Sequence, residues 1–318
     1  MIDNRAPLTE QFYDLLIKET SFYKVKDIKE LINLIWYFTN QFGNNAGLNW
    51  IDVSDITDMH ELFYQSKFNG DISKWDVSNV TDMNSMFNNS AFNGDISEWN
   101  VSNVTDMDRM FASSIFNGDI SKWNVGNVLN MTAMFSQADF NGDISKWDVG
   151  NVRYMNNMFI YTSFNGDISN WDVSNVCNMC GMFYGSKFNR DISKWNVGNV
   201  RDMSQMFEYS EFNGDISDWD VSNVKDMEKM FFHSKFSGDL NKWNVDNVKN
   251  LKEIFRWSPI EKDPPIWPRK ITIFESFDFG SVNKKGKPLN IYDELHAIKE
   301  VLDAEEGVNE YQYKLLTT

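Results

Sequence analysis

Two cysteines, Cys177 and Cys180, stand as C-x-x-C. That spacing serves redox chemistry when it opens a helix in a βαβ unit, and zinc binding when two further ligands join it. Neither context surrounds them, so they read as two thiols on a variable surface. Histidines occur at 60, 233 and 296 in unrelated settings. No phosphate-binding glycine loop, nucleophile elbow or metal pattern is present. Aspartate recurs at 71, 95, 119, 143, 167, 191, 215 and 239. Stacked carboxylates of this kind could hold a row of calcium ions. Each follows a turn segment such as Asn69-Gly70, however, where Asp accepts backbone N–H bonds to close its own turn. The turn reading is preferred, because the spacing is not that of a calcium loop. The chain is therefore expected to be no enzyme and to need no cofactor.

The elements that position these residues follow from one periodicity. Trp recurs at 75, 99, 123, 147, 171, 195, 219 and 243, and Phe at 68, 92, 116, 140, 164, 188, 212 and 236. Both steps are 24 residues. A unit runs from Phe68 to Ala91, FNGDISKWDVSNVTDMNSMFNNSA. Trp75 and Val77 alternate with polar neighbours, which predicts a strand with one buried face. Val80, Met83 and Phe87 are spaced three and four apart, which predicts one or two helical turns capped by Asn79 or Thr81. The predicted fold is an α/β repeat solenoid: a leucine-rich-repeat-like, right-handed coil of 24-residue units, parallel sheet on one face and short helices on the other. A single unit cannot offset its own ordering entropy, so stability must come from stacking. Asn at 79, 103, 127, 151, 175, 199, 223 and 247 reads as a structural column whose amides bond neighbouring backbone.

FNGDISKWDVSNVTDMNSMF resembles the BspA-like repeat, also known from Mycoplasma lipoproteins as a domain of unknown function. The resemblance covers roughly residues 46–258. It implies a leucine-rich-repeat-type solenoid and, in bacteria, surface proteins that bind other proteins. This chain shows no secretion signal or lipid anchor at its start, so a cytoplasmic setting is expected.

Three parts are predicted: an N-terminal helical cap over 1–45, about nine coils over 46–258, and a C-terminal cap or small appendage over 259–318. Helical spacing marks Leu8 to Lys18 and Ile28 to Phe42, the latter through Ile28, Leu31, Ile32, Ile35 and Trp36. The first coil is degenerate, with Trp50 displaced by one residue and Asp55 in place of the Asn. Pro259, Pro264, Pro265 and Pro268 break the last one. Beyond them Ile271 to Phe279 looks strand-like and Tyr292 to Glu306 helical.

Net charge is −16 over 318 residues, which argues against direct nucleic-acid binding. No apolar run is long enough to span a membrane. A protein partner is expected. Two surfaces could receive it. One is a polar stripe formed by Asp76, Asn100, Asn124, Asp148, Asp172, Asn196 and Asp220, with Asn244 beyond them. The other is a set of aromatic residues where early units carry Asn, Ala, Ser or Gln: Tyr161, Tyr184, Tyr209, Phe232 and Trp257, beside Ile160, His233 and Arg256. Aromatic residues and Arg are enriched in binding cores. The expected function is a non-catalytic scaffold; the alternative is an intracellular inhibitor or immunity-type protein whose acidic face blocks a basic site on a toxin or nuclease. Arg190 stands where other units have the turn Gly, a position expected to be costly for a side chain if its φ is positive.

Overall fold

The structure, a computed structural model, describes residues 22–267. The segments Leu8–Lys18, Ile271–Phe279 and Tyr292–Glu306, with His296, lie outside the described residues. A two-residue strand β1 (Tyr23–Lys24) leads into one helix, α1 (Ile28–Phe42). Asp27 caps α1 by accepting the Glu30 N–H at 2.9 Å, and Glu30 reaches back to the Lys26 N–H at 2.7 Å. These bonds satisfy amides that the first turn leaves without partners. Gly43 ends the helix at φ +85°, a conformation in which a Cβ would be strained. The buried face of α1 is Leu31, Leu34, Ile35 and Phe38. Ile32 and Trp36, expected on that face, are half exposed, because the face is set by Leu34 and Phe38 rather than by the Ile32–Trp36 pair. Strand β1 pairs in parallel with β2 (Ile51–Asp52), so the N-terminal segment covers the first repeat. In that repeat Ile51, not Trp50, fills the tryptophan column: Trp75 Nε1 donates to the Leu48 carbonyl across 3.0 Å, and Trp50 turns onto Phe38 of α1.

From there the chain is a repeat protein with little regular secondary structure. Single-residue parallel bridges join each unit to the next, from Asp58↔Asp82 to Asp226↔Asn250. The amides of Met83, Ser85, Phe87 and Asn89 donate to the carbonyls of Asp106, Asp108, Met110 and Ala112 in the following unit at 2.7–3.0 Å. The amides between them close short turns, Met86 onto Met83, Asn88 onto Ser85 and Ser90 onto Phe87. Ser85 and Asn89 both take φ +54°. Each is the third residue of such a turn, the place where a type II turn requires positive φ. The short helices expected over this segment are thus absent among the described residues. A helix bonds each amide to the carbonyl four residues back; here every second amide bonds a neighbouring unit instead, and the three-and-four apolar spacing is met by consecutive turns.

Backbone pairing also lies on the other side of the unit from the one predicted. Around Trp75 and Val77 the amides of Trp75 and Val80 close turns onto Ile72 and Val77. There the units are joined by side chains. Trp99 Nε1 donates to the Ile72 carbonyl, and Asn103 Nδ2 to the Ser78 carbonyl, at 3.2 and 2.7 Å. The same pair of bonds recurs in the following units as far as Trp243 and Asn247. The structural reading of the Asn column agrees with this geometry.

Inside, two phenyl columns run through the stack. Phe63, Phe87, Phe111 and their successors to Phe255 lie 5.4–6.0 Å apart, centroid to centroid. The column from Phe68 to Phe236 has steps of 6.2–6.4 Å. Trp195 and Trp219 are 6.4 Å apart, Trp243 and Trp267 6.5 Å. The steps thus lengthen from the first phenyl column to the second and to these tryptophan pairs. Trp267, read in the sequence as part of a proline-rich break, is a further member of the tryptophan column: its Nε1 donates to the Leu240 carbonyl at 2.9 Å. The turn glycines do not have positive φ. Their constraint is contact, since a Cβ on Gly94 would stand 2.9 Å from the Phe92 ring. Arg190 therefore carries no left-handed strain, and its Nε bonds the Asn165 carbonyl at 2.9 Å.

Candidate functional site

The repeated polar side chains are engaged in holding the units together. Asp71 Oδ1 accepts the Ser73 N–H at 3.0 Å, and the Asp column repeats this bond to Asp239 with Asn241. A second column does the same, from Asp76 with Ser78 to Asn244 with Asp246. A third runs from Asp58 with His60 to Asn250 with Lys252, interrupted where Tyr154 replaces the acceptor. In each case the carboxylate or amide closes its own turn. Asn69 Oδ1 accepts the Asn93 N–H of the next unit at 2.8 Å, a ladder that continues to Ser237.

These bonds hold the carboxylates in their ionised form. The Ser N–H two residues on depresses Asp71, Asp95, Asp119, Asp143, Asp167, Asp191 and Asp215 below the usual range. A carboxyl depressed in the folded state adds stability above its unfolded pKa of about 3.9, and that stability is lost as pH falls through the lower folded value. The urea midpoint is therefore expected to be flat above about pH 5 and to drop steadily below about pH 4. Asn closes the equivalent turn at Asn100 and Asn124. Replacing Asp119, Asp143 and Asp167 together by Asn should accordingly keep the fold and flatten that acid limb. An unchanged acid limb in the triple variant would show that the column does not set it.

The non-repeated side chains form a different surface. The ladder residues at φ +52° to +61° include Tyr161, Tyr209, His233 and Trp257, with Gly185 between the first two at φ +60°. Tyr161, Tyr209 and Trp257 are 55%, 44% and 58% exposed. Tyr184 and Phe232 sit one residue earlier in their units and are more buried. The rings touch in succession: Tyr161 to Tyr184 at 5.0 Å, Tyr184 to Tyr209 at 5.8 Å, Tyr209 to Phe232 at 5.6 Å and Phe232 to Trp257 at 5.0 Å. Tyr161 fills the space that Gly185 leaves, for a Cβ there would lie 2.4 Å from its ring. His233 stacks on Tyr209 at 5.0 Å, Arg256 covers Trp257 at 4.6 Å, and Lys229 lies over Phe232 at 5.4 Å. Glu208 lies buried in this region, 4% exposed, with Oε2 unpartnered. Burial raises its pKa, against the pull of Lys229. Burial likewise raises the Tyr184 hydroxyl, helped by its bond with Tyr161.

The family described as Mycoplasma protein of unknown function, DUF285, matches residues 26–139, 112–187 and 161–265, which together cover most of the chain. The chain belongs to this family. No curated protein and no solved structure matches it.

Within the DUF285 units, the structure brings together the predicted aromatic residues Tyr161, Tyr184, Tyr209, Phe232 and Trp257 as one continuous track, sets the predicted His233 and Arg256 against it, and adds Lys229. Sequence reasoning missed Lys229 and Glu208: Lys229 lies over Phe232 of its own unit, three residues on, whereas Glu208 takes the column position that Tyr184 and Phe232 hold in the units on either side, which unit-to-unit alignment would have shown. The predicted stripe of Asp76, Asn100, Asn124, Asp148, Asp172, Asn196 and Asp220 is exposed and aligned. Each of its Oδ1 atoms is engaged in a turn bond. Beside it Lys122 pairs with Glu98 and Lys242 with Asp218, both at 2.7 Å and both between adjacent units.

Among the described residues no group of three or more His, Cys, Asp or Glu could hold a metal ion, and the Asp column is a row of turns. Cys177 Sγ donates to the Arg153 carbonyl, Ser204 Oγ donates to Cys180 Sγ, and the two thiols are not joined. Burial pushes the Cys180 thiol up, away from the reactive thiolate. His60 is exposed and pairs with Asp58 at 2.7 Å, which raises its pKa. No helix among the described residues is long and apolar enough to cross a membrane.

Proposed function

We propose that the DUF285 units wind into a BspA-like, leucine-rich-repeat-type solenoid that binds a protein partner and catalyses nothing. The shorter steps of the first phenyl column than of the tryptophan pairs support such a curved coil. One observation carries the binding role: the repeated polar side chains are spent on turns and inter-unit bonds, while an exposed aromatic track crosses five units on the same rigid ladder. Rigid aromatic anchors with a cation over the last ring are what binding hot spots are made of.

The test replaces Tyr161 by Gln, Tyr209 by Ser and Trp257 by Gln. Gln65, Ser113 and Gln137 already occupy equivalent left-handed positions, so the fold should tolerate the change. Quantitative capture from the source-cell lysate should show a stoichiometric partner held by the unaltered protein and lost from the triple variant. A partner retained equally by both would move the interface elsewhere. The exposed stripe from Asp76 to Asp220, with the net charge of −16, favours a second reading, an acidic inhibitor of a basic protein. It would give a complex that weakens steeply with salt, survives the aromatic triple variant, and is lost when Asp148, Asp172 and Asp220 are replaced.

A further inference from the structure

We infer that the aromatic track receives a polyproline II segment, a proline-rich peptide with basic flanks. The inference rests on the protein-binding reading above and names the chemistry of its partner.

The exposed rings Tyr161, Tyr209 and Trp257 follow one another at intervals of two repeats. They stand on the bonded ladder, where parallel backbones repeat about every 4.8 Å, so the interval is about 9.6 Å. A polyproline II helix has three residues per turn and rises 3.1 Å per residue, so it presents the same edge about every 9.3 Å. Over the two intervals the mismatch is only about 0.6 Å. An extended strand fails the same test. Its side chains return to one face every two residues, about 6.7 Å, which matches neither one repeat nor two.

The relief of the track also fits such a peptide. Neighbouring ring planes cross at 80° for Tyr161 and Tyr184, 69° for Tyr209 and Phe232, and 57° for Phe232 and Trp257. The exposed rings therefore stand as ridges, with the more buried Tyr184 and Phe232 as the floor between them. Proline rings dock into slots between aromatic ridges, and the peptide loses little conformational entropy because the helix is preformed.

Charge points the same way. Arg256 and Lys229, the cations on the track, both pair with Glu253, at 2.5 and 3.8 Å. The protein as a whole carries −16, so a peptide with basic flanks is attracted to it at long range.

The experiment titrates the full-length protein into a fluorescein-labelled peptide of ten prolines bracketed by two lysines at each end, and follows anisotropy. Saturable binding is expected. Tyr209→Ser should weaken it about tenfold or more while leaving the thermal midpoint in place. A peptide of equal charge with Gly-Ser in place of proline should bind no better than the variant does. A flat titration to millimolar protein overturns the inference, and so does equal binding of the Gly-Ser peptide, which would mean charge alone. Indifference to Tyr209→Ser does the same. Cellohexaose is titrated in parallel, monitored by tryptophan fluorescence; sugar binding lost in Tyr209→Ser, with no peptide binding, would assign the track to glycans. If the peptide fails but the lysate partner is still lost from the triple aromatic variant, only the polyproline chemistry falls. If both fail, the binding role of the track falls with it.

Discussion

Replacing Phe159 by Ala is expected to destabilise the protein by about 3–5 kcal/mol, the usual range for a large aromatic removed from a packed interior. Phe159 is fully buried at mid-stack. It faces Phe135 at 5.9 Å and Phe183 at 5.8 Å along its own column, Phe164 at 4.4 Å across to the second column, and Trp171 at 6.4 Å. Its neighbours cannot close the gap, because each is pinned by the same contacts in the units on either side and by the amide ladder that spaces them. The cost should therefore approach the full cavity value rather than be relieved by collapse. Urea titration followed by tryptophan fluorescence measures it. A loss below about 1 kcal/mol would mean that the columns are not close-packed. A second effect should accompany the loss. Since each unit contacts only its neighbours, damage at mid-stack is expected to split a single transition into two, as the halves on either side unfold separately.

A larger and more selective effect is expected from deletions. Removing residues 116–139 joins Ile115 to Phe140, which occupies in its unit the place Phe116 occupies in its own. Every column then closes up by one step. Asn93 meets Asn141, Phe111 meets Phe159 and Trp123 is lost cleanly from its series. This shortened protein should fold, with unchanged ring packing and a lower thermal midpoint, since one unit and one interface are gone. Removing only residues 116–127 deletes half as many and should abolish folding. It leaves Ile115 before Val128, so the tryptophan, the second phenyl and the turn Asp of one unit vanish while its ladder segment remains. The residues that follow are then held against the wrong partners. Far-UV circular dichroism, light scattering and urea titration on the two deletions separate these outcomes. Equal tolerance of both would show that the 24-residue register does not govern the fold.

Much of this architecture was legible in the chain. The 24-residue period and the inward position of Phe68, Ile72, Trp75, Val77, Val80, Met83, Met86 and Phe87 follow from spacing alone, and all eight are buried. So does the structural role of Asn79 and its copies, because an amide repeated at one place beside apolar residues must find partners. The aromatic positions of the track were also visible as departures from the repeat. Their continuity was not: it depends on Gly185 making room for Tyr161 and on rings in successive units crossing at contact distance.

The sequence by itself determined the period, the inward set and the columns, since apolar residues at a fixed interval can be buried together only if each unit lies on its copy. Only the tertiary structure decided which segment carries the backbone bonds between units. Val80, Met83 and Phe87 have helical spacing, and the signs of a left-handed backbone are slight: Asn89 itself, and Gly181 and Gly185 in the columns of Ser85 and Asn89. Such a conformation is a cost of about 1 kcal/mol for a residue in isolation. It becomes favourable when the next unit presents carbonyls at every second amide, as Asp106, Asp108, Met110 and Ala112 do. The same is true of Trp267, which its prolines disguise and which the Leu240 carbonyl below it holds in register. Bonds that exist only between stacked units cannot be read from the local pattern of one.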